Sequence, residues 1–254
     1  MIISEKVGND IIKLAEEAGK IIMCYHKADF QIINKHDQSP VTTADLEAHN
    51  FIIRELPLIC PDFEIISEED TERKKILGNK YWLIDPLDGT KNFIQGKDHF
   101  AVSIGLIENN QPVFGVIYMP ALELTYFTSN NQALKKYATG QVEEISSKFN
   151  KEDSCDVVTS NSSDSSKIKD FLSKYKVRNH YIVSSALKLC MVAEAKANLY
   201  PCFTNTMTWD TAAGHAILKA AGGDVYLLDD KSSPLLYDKD NLSNPHFLAI
   251  GSIS

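Results

Sequence analysis

The chain has 254 residues, 44% hydrophobic and 24% charged, enough to bury a sizeable core in one large domain or two closely packed lobes. Its 34 acidic residues outnumber 26 basic ones for a net charge of −8, which argues against binding nucleic acid, a role that takes clustered Lys and Arg, but not against a small anion held through a bound cation. Five scattered cysteines (Cys24, Cys60, Cys155, Cys190 and Cys202) suggest neither disulfides nor zinc, and neither a leader sequence nor a membrane-spanning apolar run is evident, so a reduced, cytoplasmic protein is expected.

From Glu5 to His26, apolar residues recur at helical spacing, as Ile11, Leu14, Ala15, Ala18 and Ile22 do, which predicts an amphipathic packing helix. Phe30 to Lys35 reads as a strand. It leads into Ser39-Pro40-Val41-Thr42-Thr43-Ala44-Asp45, where Pro40 extends the residue before it and Thr42 or Thr43 can cap the next helix. Asp45 falls in that helix's first turn, where the dipole already favours a carboxylate. Phe63 to Ser67 is a short strand ending in Glu68-Glu69-Asp70.

The stretch that carries chemistry is Trp82-Leu83-Ile84-Asp85-Pro86-Leu87-Asp88-Gly89-Thr90-Lys91-Asn92-Phe93. It reads as a buried strand broken by Pro86 and Gly89, with polar side chains collected at its carboxyl end, where open α/β sheets place their sites. Asp85 and Asp88 have no Lys or Arg between them and repel each other unless one is protonated or a cation lies between them. The Leu87 carbonyl is a candidate third oxygen ligand, and Gly89 and Thr90 open a helix whose N–H groups suit an anion. If the strands ending at Ser67 and Ile84 share an edge, Glu68 joins this set. The same residues also fit a plain acidic turn capping a helix.

Strands follow near Ala101 to Ile107, Pro112 to Tyr118 and Leu124 to Phe127, and the polar run Gln141 to Ser154 is the candidate boundary between lobes 1–145 and 146–254. Beyond it, strands at Asp156 to Ser160 and His180 to Val183 alternate with helices at Ser166 to Tyr175 and Ser185 to Ala197, an α/β pattern. Thr208-Trp209-Asp210 starts a small-residue helix that Gly222-Gly223 ends, with Asp224 to Leu228 as the next strand. Trp209, His215, Tyr175 and His180 read as packing or surface residues.

Val41-Thr42-x-Ala44-Asp45, Glu68-Glu69, Asp85-Pro86-Leu87-Asp88-Gly89-Thr90, and Trp209-Asp210 with Gly222-Gly223 occur in the order that marks the inositol monophosphatase superfamily, which the chain resembles. Asp37-x-Ser39-Pro40, Ala48-His49, Lys91, Ser185 to Glu194 and Thr211 to His215 are most similar to its bacterial 3'(2'),5'-bisphosphate nucleotidase branch. The resemblance implies a layered αβαβα sandwich of two closely packed lobes, the first carrying most metal ligands and the second contributing Asp210 and substrate contacts. It implies lithium-sensitive hydrolysis of 3'-phosphoadenosine 5'-phosphate with two or three Mg2+ ions per site. Glu68, Asp85 and the Leu87 carbonyl would hold one ion, and Asp85, Asp88 and Asp210 another. Asp45, Thr90 and Glu68 would activate the water; Gly89 and Thr90 would bind the transferred phosphate through backbone N–H groups; Asp88 and Asp210 would also border the substrate, and Ser185 and Lys188 would contact the nucleotide. Three positions depart from the branch: Asn92 in place of Glu, Cys202 in place of Arg, and Ser163 in place of His. Other readings are an inositol monophosphatase or related small-molecule phosphatase and a catalytically silent metal-binding protein. The sequence leaves open a monomer or a homodimer, and peripheral association with the inner membrane.

Overall fold

The computed structural model describes residues 3–28, 31–34, 40–72, 76–150, 154–160, 165–230 and 232–253. Helix α1 (Glu5–Tyr25) starts at Ser4, whose Oγ accepts the Val7 N–H at 3.2 Å, and buries the apolar stripe its spacing predicts. Strands β1 (Ile32–Asn34) and β2 (Pro40–Thr42) pair antiparallel and lead into α2 (Thr43–Ile59), which packs beside α1.

The large sheet follows: β3 (Glu64–Ser67), β4 (Lys80–Asp88), a short helix α3 (Thr90–Ile94), β5 (Ala101–Glu108), β6 (Gln111–Met119), β7 (Leu124–Ser129), β8 (Gln132–Lys136) and β9 (Val142–Ile145). Its seven strands lie in chain order, antiparallel except for the parallel pair β3 and β4. The chain then forms β10 (Cys155–Thr159), α4 (Ser165–Leu172), β11 (Val177–Ile182), α5 (Leu187–Ala193), β12 (Leu199–Cys202), β13 (Thr206–Met207), α6 (Thr208–Ala220), β14 (Asp224–Leu227), β15 (Ser243–Asn244) and β16 (Phe247–Ile250). The second sheet has five strands, in the order β11-β10-β12-β16-β14.

Burial sorts these elements into layers. Ile11, Ala18, Ile52 and Leu56 of α1 and α2 pack with Trp82, Ile84, Val102 and Ile104 on one face of the large sheet. On its other face, Leu83, Ile117 and Tyr126 share a core with α5 and α6 and with Val158, Tyr200 and Ala249 of the small sheet. Phe171 of α4 packs on the outer face of the small sheet with Val157, Leu199 and Leu248. The result is the five-layer αβαβα order.

Three local features differ from the sequence reading. Pro86 does not end β4: the ladder with β5 is interrupted after Asp85 and resumes where Asp88 pairs with Ala101, so the proline sits in a bulge that needs no N–H donor there. The polar run expected at the lobe boundary contains β9, whose Ile145 is buried. Helix α5 is shorter than its pattern because Ser185 and Ala195, on either side of it, take left-handed backbone at φ 64° and 58°.

Candidate active site

The site grows from the carboxyl end of β4. Asp85 is 2% exposed and lies opposite Ser103 in the ladder, and its Oδ1 accepts the Leu87 N–H at 3.0 Å. Because β3 runs parallel to β4, both strands deliver their ends to one edge. Glu68 begins the turn after β3 and donates its N–H to the Ile84 carbonyl at 3.0 Å, which sets it beside Asp85. Asp210 arrives in the first turn of α6, with its Oδ2 accepting the Met207 N–H at 2.8 Å. Carboxylate oxygens of Glu68, Asp85 and Asp210 lie within 4.8 Å of one another. Asp88 stands next to them at the end of β4 and accepts the Ala186 N–H from the segment that precedes α5.

These acids burden one another. Burial pushes the Asp85 carboxyl well above its ordinary range, and the charges of Glu68, Asp88 and Asp210 add to that rise. Burial also lifts Asp88 to about 6, although Lys188 and the Ala186 N–H pull it down. Asp210 rises to about 8, mainly through burial and then through Asp88. Hard oxygen donors this close and this short of counter-charge suit a divalent cation such as Mg2+ or Mn2+.

A second pair flanks the cluster. Thr42 caps α2 by accepting the Asp45 N–H at its Oγ1, 3.5 Å away, and its own N–H and Oγ–H donate back to Asp45 Oδ2 at 2.7 and 2.5 Å, so Asp45 completes a capping box rather than pointing to solvent. Its other oxygen, Oδ1, lies 3.0 Å from Thr90 Oγ1, which is also 3.1 Å from the Leu87 carbonyl. Burial raises the Asp45 carboxyl, partly offset by these donors. Gly89 precedes Thr90 with φ +93°, and a Cβ there would lie 2.9 Å from the His99 carbonyl oxygen, so no other residue fits without strain.

The third wall comes from the small sheet and α5. A cavity of about 90 Å³ opens between Asp88, Ser185, Lys188, Tyr200 and Asp210. Lys188 is 8% exposed; its ammonium donates to the Ser185 carbonyl at 2.6 Å and lies 5.4 Å from the Tyr200 ring centroid. Cys202 is buried, with its Sγ 3.6 Å from the Thr204 carbonyl. Asn92 donates its Nδ2–H to the His99 carbonyl at 2.8 Å. Ser163, Asp37 and Ser39 lie outside the described residues.

Glu68, Asp85, Asp88 and Asp210 thus converge at one end of β4, with Thr90 and Asp45 on one side and Ser185 and Lys188 on the other. The Leu87 carbonyl faces Thr90 Oγ1. His215 is a buried packing residue: its Nε2 lies 2.7 Å from Asp224 Oδ1 and its Nδ1 3.1 Å from the Tyr237 hydroxyl. Two contributors escape sequence reading. The Ala186 N–H that supports Asp88 depends on the left-handed turn at Ser185, and Tyr200 reaches the site only because β12 pairs with β10 and β16.

Comparison with known proteins gives a consistent result. The profile of the inositol monophosphatase family matches residues 4–248. The 3'(2'),5'-bisphosphate nucleotidase CysQ of Escherichia coli K12 is 36% identical over 244 residues, covering 94% of this chain and 97% of that protein. The protein of the same name from Buchnera aphidicola is 40% identical over 224 residues, covering 87% of this chain and 84% of that one. The crystal structure of CysQ from Bacteroides thetaiotaomicron, a bacterial member of the inositol monophosphatase family, superposes with a TM-score of 0.83 at 33% identity and covers 99% of both chains.

Proposed function

The chain belongs to the inositol monophosphatase family, and from that membership we propose that it is a Mg2+-dependent 3'(2'),5'-bisphosphate nucleotidase that converts 3'-phosphoadenosine 5'-phosphate to AMP and phosphate. Likeness to the CysQ nucleotidases along 94% of the chain supports the substrate. The observation that carries the reaction class is the meeting of Glu68, Asp85 and Asp210 oxygens within 4.8 Å, beside a Thr90 and Asp45 pair.

Glu68, Asp85, the Leu87 carbonyl, Asp88 and Asp210 would hold the Mg2+ ions, which when bound acidify a coordinated water and offset charge on the phosphoryl oxygens. Asp45 accepts the Thr90 O–H and leaves the Thr90 oxygen free to accept a hydrogen from the attacking water, while Glu68 orients its other side. The water oxygen forms the new bond to phosphorus, the bond between phosphorus and the ribose 3' oxygen breaks, and the proton the water gives up is balanced by one delivered to that leaving oxygen. Gly89 and Thr90 bind the phosphate from the start of α3. Ser185 and Lys188 hold the nucleotide: the Ser185 carbonyl takes one hydrogen of the Lys188 ammonium, which leaves two for the ligand. With Cys202 turned to Thr204, no guanidinium assists at that position.

Five free cysteines support a reduced, cytoplasmic setting, and among the described residues no helix is long and apolar enough to cross a membrane. The test is phosphate release with Mg2+ from 3'-phosphoadenosine 5'-phosphate and from inositol 1-phosphate, each with and without lithium. Preference for the nucleotide and inhibition by lithium are expected; preference for the inositol ester would place the chain in the sister activity, and release from neither would leave a metal-binding protein.

A further inference from the structure

Asp85 is fixed by a strand and Asp210 by a helix, but Glu68 stands on a turn, where nothing in regular structure sets its position. That turn is held from three directions. Within it, the Asp70 N–H donates to the Ser67 carbonyl at 3.2 Å, and Asp70 Oδ2 accepts the Ser67 N–H at 2.8 Å, closing both sides of the Ser67 to Asp70 loop. From β4, the Ile84 carbonyl receives the Glu68 N–H at 3.0 Å. From α2, His49 Nδ1 shares a hydrogen bond with Ser67 Oγ at 2.9 Å, either atom being able to donate. Ser67 is 3% exposed, so this bond forms away from solvent, where an unmade polar contact is costly.

The origin of the last bond ties it to the chemistry. His49 follows Asp45 by one helical turn, and side chains at that spacing share a helix face. One face of α2 therefore reaches two parts of the site: Asp45 holds the Thr90 hydroxyl at 3.0 Å, and His49 holds the turn that carries Glu68. The two groups assigned to the attacking water are thereby referred to a single rigid rod.

We propose that His49 and Asp70 are positioning residues that set Glu68 for metal binding and align it with the Asp45 and Thr90 pair. Neither enters the metal cluster; both act through the Ser67 to Asp70 turn. The proposal rests on the reading of Glu68 as a metal ligand and would fail separately from it.

The test uses the full chain and Mn2+ as the probe, with free ion counted by electron paramagnetic resonance, in His49→Ala, His49→Asn, Asp70→Ala and Asp70→Asn. Asn at either position can replace the lost hydrogen-bonding atom, and the alanines cannot. Both alanine variants are expected to weaken Mn2+ binding about tenfold, the usual scale for groups that orient metal ligands, and both asparagine variants to recover most of it. Urea unfolding midpoints of all four give the structural control. Loss of stability with unchanged Mn2+ affinity, or asparagine variants as weak as the alanines, overturns the positioning role. Wild-type protein that binds no Mn2+ would instead sink the metal reading beneath it.

Discussion

At Asp45 one carboxylate does two jobs: one oxygen closes the helix cap with Thr42 and the other meets Thr90. In the proposed mechanism Asp45→Asn keeps the shape but weakens the acceptor that would free the Thr90 oxygen, so phosphate release is expected to drop by about 10²- to 10⁴-fold, the range for general-base loss. Thr90→Ala should match it, and the double variant should lose little more, because the two act as a unit; steady-state rates at saturating Mg2+ check this. His215 makes a prediction about stability. Burial holds its imidazole below the ordinary histidine value. Its Nε2 faces Asp224 Oδ1 and its Nδ1 the Tyr237 hydroxyl, whose own hydrogen goes to Thr211 Oγ1 at 3.2 Å. An unfolded histidine takes up a proton near pH 6.5, and the folded one only at lower pH, so stability is full above about 6.5 and falls on acidification, by at most about 1.4 kcal/mol per pH unit. Urea unfolding of wild type and His215→Asn from about pH 7 to 5 should give a shallower slope in the variant.

Helix α6 is the element on which the site depends most, since it brings Asp210 to Asp85 of β4 and to Glu68 on the turn after β3. Its height above the large sheet is set by two glycines that face each other across β5 and β6, Gly105 and Gly115. A Cβ on Gly105 would lie 2.7 Å from the Ala212 Cβ, and one on Gly115 would run into the Ala213 carbonyl oxygen. Gly115→Ala must therefore displace helix backbone and is expected to cost about 1–3 kcal/mol in urea unfolding. Gly8→Ala in α1, where the new methyl would touch only the Phe114 ring at 3.4 Å, should be neutral or stabilising by up to about 1 kcal/mol. This contrast also marks what sequence can and cannot convey. Amphipathic α1, the capping pattern at Thr42 and the acidic end of β4 were legible because each is a local signal of period, cap or composition. The small-residue run of α6 was legible as close packing, but its partners were not, because the glycine pair lies a hundred residues upstream. Strands β12 and β16 escaped notice because short buried strands lack alternation, and the turn that gives Asp88 its Ala186 donor escaped because a serine seldom takes positive φ.

Across the whole molecule, the large sheet and the small one share a continuous core through α5 and α6. A buried ion pair also ties the large sheet to the helix layer between them: Lys135 of β8 meets Glu194 at the end of α5 at 2.7 Å, with the side chains 5% and 7% exposed. Glu194→Ala would strand the lysine among Tyr126 and Tyr137 and is expected to cost about 3–5 kcal/mol, measured as a drop in urea midpoint. The shared core predicts that both sheets unfold in one transition, with matching calorimetric and van't Hoff enthalpies. The scatter of the acidic residues along the chain has a kinetic counterpart. Glu68, Asp85 and Asp210 meet only after β3, β4 and α6 have all docked, so in the proposed metal site the full set of carboxylates is complete only in the folded chain, and the ion would be a latecomer to folding rather than its seed. Added Mg2+ should leave the refolding rate nearly untouched and slow escape from the native state, acting as a latch that closes behind the finished structure.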